Sequence, residues 1–270
     1  MSSEKQSEFT KENIDTYLKE VAKEYRKQIG KNMPAEMILI GGASILVNYG
    51  FRDMTTNIDA VIQAASVMKD VINRVGDRYD LPNGWLNQDF VRTESYSPSL
   101  SSFSEYYKTY SNVLTIRTVT AEYLIAMKLR SGRQYKRDLS DVLGILAEHE
   151  KSGKPISLER IQIAVSDLYG GWNTLPEASR NFITNVMRDG NFSELYTQTI
   201  IGEKETKELL IGFEQDYPGI PIEANVNEIA ENLQKKISRA SVLAQLRERR
   251  PEPKQQESAK KPKTRNDPER

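Results

Sequence analysis

Two polar side chains inside a short apolar segment are the first candidates for chemistry. Asn57 and Asp59 are separated by one residue, in a segment from Asn57 to Ile62 that has the length and composition of a strand. Alternate side chains of a strand point to the same side, so these two groups can bind one Mg²⁺ together. A carboxylate in an apolar strand is costly unless it has a partner. The alternative is an edge strand whose polar face is exposed.

A pair of glycines marks a second candidate, a site for phosphate. Gly41 and Gly42 follow the apolar run from Met37 to Ile40, and Ser44 lies in a short helix predicted from Ala43 to Tyr49. Glycine lets a backbone approach a phosphate closely, and a helix N-terminus supplies unpaired N–H groups and a favourable dipole. The alternative is a tight turn without a ligand.

Charged residues on two later helices form a third group. Lys128 shares a helix face with the apolar Leu124, so its ammonium group must either reach solvent or meet an anion. Asp138 and Asp141 flank one edge of the apolar stripe of the next predicted helix, and Arg133 precedes them. The alternative for these aspartates is a solvated face with local ion pairs.

The elements that would position these groups follow from periodicity and capping. Thr10 is the expected N-cap of a helix that ends at Gly30. Residues 93–111 are rich in Ser and Tyr and are expected to be mostly loop, and residues 151–155 form a polar break. The other predicted elements are strands at Met37–Ile40, Asn57–Ile62 and Val113–Ile116 and helices at Val67–Arg78, Ala121–Leu129, Lys136–Glu148, Leu158–Tyr169, Glu177–Arg188, Glu203–Asp216 and Val226–Arg249.

Composition excludes several classes of protein. The 270 residues contain 38 Lys+Arg and 38 Asp+Glu, so overall charge gives no argument for nucleic-acid binding. Cysteine is absent, which excludes disulfides, thiolate metal sites and a cysteine nucleophile. No apolar run approaches the roughly 20 residues of a spanning helix, and the polar start does not resemble a signal peptide. A soluble, cytoplasmic protein without membrane contact is therefore expected.

The last part of the chain is locally basic. Lys235, Lys236 and Arg239 begin a positive stretch that continues to Arg250, and the tail adds further lysines. Such a strip could hold RNA through phosphate contacts, or it could be an ordinary solvated helix end. Residues 251–270 contain almost no apolar side chains and are expected to be disordered.

Taken together, the motifs resemble those of minimal nucleotidyltransferases of the DNA polymerase β superfamily. The shared order is GG-x-S, a short helix, a loop with Arg52 and Thr55, a polar-x-Asp strand, and then Lys followed by Arg-Asp-x-x-Asp. The chain is more similar still to the abortive-infection nucleotidyltransferases, which include toxins of type IV toxin–antitoxin systems. Trp85-Leu86-Asn87, after a Pro-Asn-Gly turn, and the segment from Tyr123 to Leu129 resemble an uncharacterised branch of that group.

This resemblance, which covers residues 36–146, implies a fold and a set of roles. The implied fold is an α/β (α+β) nucleotidyltransferase domain, a small mixed sheet with flanking helices, in residues 1–150. Helical periodicity and the polar break at residues 151–155 predict that a mostly helical domain follows in residues 151–250. The residues expected to bind nucleotide are Gly41, Gly42, Ser44 and Arg52; the expected catalytic residues are Asp59, Lys128 and Asp138; the expected metal ligands are Asn57 and Asp59; and Arg133 and Asp141 are expected to support them.

The implied reaction is in-line attack on the α-phosphate of a nucleoside triphosphate, with release of pyrophosphate. Two Mg²⁺ ions would activate the nucleophile and neutralise the leaving group. The implied acceptor is an RNA, tRNA being one candidate, or a protein hydroxyl, and a toxin of this kind would have a cognate antitoxin. Positioning and charge carry such a mechanism, so it does not require His149, the single histidine, which is expected to be structural or exposed.

Two features leave alternatives open. The family usually has Asp-x-Asp, whereas this chain has Asn57 at the first position, and the third acid is represented only by Asp89 or Glu94 as candidates by order. One alternative is therefore a protein that keeps the fold and binds a nucleotide or partner without catalysis. Another alternative places the working surface in the helical C-terminal half, with the first domain as a scaffold.

Overall fold

The computed structural model of the chain describes residues 8–133, 135–222 and 225–236. Its strands are β1 (Ala35–Leu39), β2 (Ile58–Gln63), β3 (Leu86–Asn87), β4 (Ser104–Tyr110) and β5 (Leu114–Val119). Its helices are α1 (Lys11–Ile29), α2 (Gly41–Asn48), α3 (Met68–Arg78), α4 (Ala121–Ser131), α5 (Asp138–Lys151), α6 (Leu158–Tyr169), α7 (Glu177–Asp189) and α8 (Phe192–Asp216). Residues 226–236 are also helical.

The strands form one mixed sheet in the order β3-β2-β1-β5-β4. Central β1 is antiparallel to β2 and parallel to β5, while β3 is parallel to β2 and β4 is antiparallel to β5. Leu39, the last residue of β1, pairs with Ala60 near the start of β2. The chain therefore leaves β1 for α2 directly beside the polar beginning of β2.

Each face of the sheet is covered by helices. Met37 and Leu39 of β1 pack with residues of α1 and α3 in one core, whereas Ile38 packs with α4 and α5 in a second core. This division follows from the alternation of side chains along a strand. The predicted architecture, a small mixed sheet with flanking helices followed by a mostly helical region, is confirmed.

The first helix shows how local sequence fixes an element boundary. The Thr10 side chain accepts a hydrogen bond from the backbone of Asn13, whose own side chain accepts from the backbone of Thr10. This reciprocal capping box satisfies two amides of the first turn. Gly30, with φ of +72°, ends the helix as predicted.

Three predictions of local structure are wrong. Residues 104–110, expected to be loop, form β4, an edge strand in which Ser104 and Tyr110 are buried while most of the residues between them are exposed. Its Tyr and Thr residues favour strand structure, but its polarity conceals the alternation. Helix α8 begins at Phe192, eleven residues before the predicted start at Glu203, and α2 begins at Gly41 rather than Ala43.

The helical region shares a core with the sheet. Leu124 of α4 and Leu143 of α5 belong to the same buried cluster as Ile161 of α6 and Ile183 of α7. No helix among the described residues is long and apolar enough to cross a membrane. The predicted tail at 251–270 and most of the basic stretch, from Arg239 onward, lie outside the described residues.

Candidate functional site

Asp59 lies on the sheet face that α4 and α5 cover. Its neighbours Ile58 and Ala60 are buried in the α1–α3 core on the opposite face. The Asn57 amide nitrogen donates a hydrogen bond of 2.8 Å to Asp59 Oδ1. Burial raises the pKa of Asp59, while the hydrogen bonds from Asn57 and Asn87 and the charges of nearby cations oppose this rise. Asp59 is thus a half-buried carboxylate that an additional cation would stabilise in its ionised form.

Asn87, a residue that the sequence reasoning did not assign to the site, is the cross-strand neighbour of Asp59. The two residues are paired in the parallel β2–β3 register, and the Asn87 side chain contributes a hydrogen bond to Asp59. The two candidates for a third acid lie elsewhere: Asp89 is exposed, and Glu94, 85% exposed, pairs with Arg130. The side chain beside Asp59 on the third strand is therefore an amide.

The glycine pair lies beside Asp59. The backbone N–H of Ile40, the residue before Gly41, donates a 2.9 Å hydrogen bond to the Asp59 carbonyl oxygen. Gly41 has φ of +55°, a left-handed conformation that favours glycine. Ile40 occupies the N-cap position of α2 and has no polar side-chain atom to cap the first amides. A helix N-terminus of the kind that binds phosphate therefore lies next to the candidate metal ligand.

Ser44, in the first turns of α2, is fully buried. Its hydroxyl oxygen has no hydrogen-bond partner among the described residues. A buried hydroxyl without a partner carries a free-energy cost on the order of 1–3 kcal/mol. A ligand or a water molecule at the start of α2 could supply this hydrogen bond.

Gly42 leaves no room for a side chain. A Cβ atom here would lie 2.7 Å from Thr55 Oγ1 and 2.8 Å from Arg52 Nη2. We expect Gly42→Ala to lower the free energy of unfolding by about 1–3 kcal/mol, because overpacking forces neighbouring groups to shift. Urea denaturation measures this loss. Gly50→Ala is the matched control, since nothing lies within 4 Å of a Cβ there; equal losses in the two variants would contradict the prediction.

Three cations and two carboxylates form a continuous ion-pair network near Asp59. Lys128 Nζ lies 2.7 Å from Asp138 Oδ1 and 2.8 Å from Asp141 Oδ2. Arg133 Nε lies 2.8 Å from Asp138 Oδ2. Arg52 Nη1 lies 2.5 Å from Asp141 Oδ2. The two aspartate side chains are 1% and 2% exposed, so Lys128 meets two buried anions instead of reaching solvent.

The charged groups of this network shift one another's pKa values. Burial alone would raise the pKa of Asp138, but Lys128 and Arg133 outweigh it and hold that pKa well below its usual range. Burial would likewise lower the pKa of Lys128, but Asp138 and Asp141 raise it above its ordinary value. Lys128 and Arg133 also act on Asp59 and favour its ionised form, so three cations face the three carboxylates of Asp59, Asp138 and Asp141.

A carboxylate from α8 caps the helix that carries the network's aspartates. Glu203 Oε1 accepts hydrogen bonds from the backbone N–H groups of Leu139 (3.0 Å) and Ser140 (3.2 Å), and Oε2 accepts from the Ser140 hydroxyl (2.5 Å). Arg137, at the N-cap position of α5, makes no side-chain capping bond. Burial, only partly offset by these three hydrogen bonds, raises the pKa of Glu203 to about 7.

Glu203 is therefore expected to make stability depend on pH. Its pKa is about 7 in the folded chain against 4.5 for an ordinary glutamate, so the folded state retains a proton that the unfolded chain has lost. This contribution is complete below about pH 4.5 and is lost as the pH rises through about 7, a change of roughly 3 kcal/mol. Urea titrations across this range should show a stability decline in the wild type that Glu203→Gln lacks. Glu205→Gln, exposed on α8, serves as the control, and an unchanged decline in Glu203→Gln would contradict the assignment.

The structure brings most of the sequence-selected residues together. Arg52 connects Gly42 at the start of α2 to Asp141 on α5, and Lys128 and Arg133 extend this connection towards Asp59. His149 lies at the other end of α5, where it contacts Tyr49 Oη at 3.2 Å. The missed residues, Asn87 and Glu203, reach the site through strand pairing and helix packing.

The side chains around Asp59 that could bind a metal ion fit one divalent cation better than two. Asp59 supplies a single carboxylate, and Asn57 and Asn87 supply amides. Mg²⁺ in proteins is commonly held by one or two carboxylates together with substrate phosphates. In the described part of the chain, no group of three or more His, Cys, Asp or Glu side chains could hold a metal ion. A single Mg²⁺ shared with a bound phosphate matches these residues.

Comparison with known proteins identifies the family. The family model described as "nucleotidyltransferase of unknown function (DUF6036)" matches residues 16–160, more than half of the chain. Searches of curated proteins and of solved structures gave no significant match. The matched segment contains β1 to β5 together with α2, α4 and α5, so it includes Asp59, the glycine pair and the ion-pair network. The chain belongs to this nucleotidyltransferase family.

Proposed function

We propose that the chain binds a nucleoside triphosphate between the start of α2 and Asp59 and transfers its nucleoside monophosphate to a hydroxyl acceptor. The observation that carries this proposal is the 2.9 Å hydrogen bond from the Ile40 N–H to the Asp59 carbonyl. Because of it, a phosphate-binding helix terminus and a metal-binding carboxylate are adjacent. In the reaction, the acceptor hydroxyl loses its proton to solvent, its oxygen forms a bond to the α-phosphorus, and the bond to the leaving pyrophosphate breaks.

Each part of the site has a role in this proposal. The backbone around Gly41 and Gly42 binds the triphosphate, and Ser44 supplies its buried hydroxyl. Lys128, whose charge acts on Asp59, stabilises the charge that develops on the phosphates during transfer. Asp59 would hold one Mg²⁺, and this ion would neutralise phosphate charge when bound.

The acceptor that we propose is a hydroxyl of RNA, with tRNA as one candidate, or of a protein. The similarity of the motifs to abortive-infection nucleotidyltransferases extends the proposal to a toxin that is controlled by a cognate antitoxin. Incubation with bulk RNA and with a protein lysate in parallel, using triphosphates labelled on the α-phosphate, separates the two acceptor classes.

The decisive experiment compares wild type with Asp59→Ala. With Mg²⁺ and each of the four labelled triphosphates, the wild type should label an acceptor and release pyrophosphate, and Asp59→Ala should fall to the level of a blank. Asp77→Ala, an exposed aspartate on α3, is the control and should retain the signal. Equal signals from wild type and Asp59→Ala with every triphosphate would refute the proposal.

A second candidate function is nucleotide binding without turnover. It is favoured by the two amides, Asn57 and Asn87, that flank the single carboxylate. This candidate predicts that labelled triphosphate binds to the wild type while no pyrophosphate is released. Pyrophosphate release by the wild type that is lost in Asp59→Ala would exclude it.

A further inference from the structure

We infer that Glu203, on α8 of the helical region, is a positioning residue for the transfer site. Its carboxylate fixes the first turn of α5, and that turn carries both aspartates of the ion-pair network. This inference rests on the proposed function for the reaction that is positioned, whereas the positioning itself can be measured without any reaction.

The first step of the argument is that α5 needs a cap from elsewhere in the fold. The first N–H groups of a helix have no partner within the helix. Arg137 at the N-cap position cannot accept a hydrogen bond through its guanidinium group. Glu203 supplies the missing acceptor to Leu139 and Ser140.

The second step connects this cap to the network. Asp138 immediately precedes the capped residues, and Asp141 immediately follows them. Both carboxylates lie within 2.8 Å of Lys128 Nζ. At such distances a displacement of the turn by about 1 Å breaks these contacts, and errors of this size in a site can lower a rate by about 100-fold.

The third step is that the contact is built to persist. Glu203 and Ser140 are buried, with residue exposures of 7% and 1%. The charged group facing Glu203 from α5 is Asp141, which opposes ionisation of Glu203. A buried carboxyl group without hydrogen-bond partners is costly, so its three hydrogen bonds hold Glu203 against the turn. Loss of Glu203 should therefore loosen first the turn that donates these bonds.

The test uses the full chain with four variants. Glu203→Ala removes the cap, Glu203→Gln keeps an acceptor oxygen for the two backbone N–H groups, and Ser140→Ala removes one bond. Glu205→Ala on the exposed side of α8 is the matched control. For each variant, amide hydrogen exchange at Leu139 and Ser140 is measured together with KM and kcat for pyrophosphate release.

In Glu203→Ala we expect exchange at these two amides to accelerate by about tenfold or more, while amides of β1 and β5 stay protected. We expect kcat to fall by at least about tenfold with KM within about threefold, because the network is displaced while the phosphate-binding turn of α2 is intact. Glu203→Gln should restore most of both quantities, and Ser140→Ala should give a smaller effect in the same direction.

Several results would overturn the inference. One is exchange and kinetics in Glu203→Ala that equal those of Glu205→Ala. Another is acceleration of exchange throughout the sheet without a selective effect on α5, which would make Glu203 a purely structural residue. If Glu203→Ala does not fold, Ser140→Ala and Glu203→Gln provide the same comparison. A wild type that releases no pyrophosphate would refute the proposed function alone, since the exchange measurement still decides whether Glu203 holds the turn.

Discussion

Lys128→Met should lower the free energy of unfolding at neutral pH by about 3–5 kcal/mol, the usual cost of removing one partner from a buried ion pair. The methionine is similar in volume, so the loss comes from charge and hydrogen bonding and not from a cavity. Asp138 and Asp141 would each keep an ion pair with one arginine. The two aspartates are almost completely buried, however, and would lose the lysine that they share. Chemical denaturation at neutral pH measures the effect.

The pH dependence of this loss identifies its cause. Lys128 holds the pKa of Asp138 below its usual range, so the stabilisation is present above the unfolded pKa of about 4 and is lost as the pH falls below it. The difference in the free energy of unfolding between wild type and Lys128→Met should therefore become smaller at acid pH. Lys69→Met, at an exposed position of α3, should cost less than about 0.5 kcal/mol. In a double-mutant cycle with Asp138→Asn, a coupling energy near zero would show that the pair does not act as argued.

Asn57→Asp and Asn87→Asp should together increase the affinity for a divalent cation by at least about tenfold, since each adds a full negative charge beside Asp59. Mn²⁺ titration by calorimetry reads this out directly, without any assumption about the acceptor. The rate of pyrophosphate release should also rise, and it should be higher in the double variant than in either single variant. Without metal, the added like charges should instead lower the melting temperature, and Mg²⁺ should reverse this loss.

The matched control for these variants is Asn83→Asp, in the exposed turn before β3. It adds the same charge as either single variant, in the same part of the chain but away from Asp59. Equal Mn²⁺ affinity in the double variant and in Asn83→Asp would mean that this edge of the sheet is not a metal site. Tighter Mn²⁺ binding without any pyrophosphate release would favour the binding-only function.

Local signals explain what the sequence could predict. The Thr10 cap, the apolar run before Gly41 and the apolar stripe of α5 each depend on a few neighbouring residues, and the structure has these elements within a few residues of the predicted bounds. The proximity of Asp59, Lys128 and Asp138 was predicted from the order of motifs in a known group of enzymes. Their catalytic roles remain predictions.

Long-range pairing explains what the sequence did not predict. Asn87 reaches Asp59 through a strand of two residues, too short to leave a periodic signal. Glu203 and Ser140 are 63 positions apart and meet only because α8 packs on α5. The edge strand β4 is hidden by its own polarity, because most of its side chains face solvent and need no apolar alternation.

The buried cluster that joins α4 and α5 to α6 and α7 has a consequence for how this protein could have diversified. Exchange of the helical region between relatives by recombination would require the incoming segment to fill the space against α4 and α5 with apolar side chains of similar total volume. It would also require a carboxylate at the position of Glu203 to meet Ser140. The helical region should therefore be inherited together with the sheet.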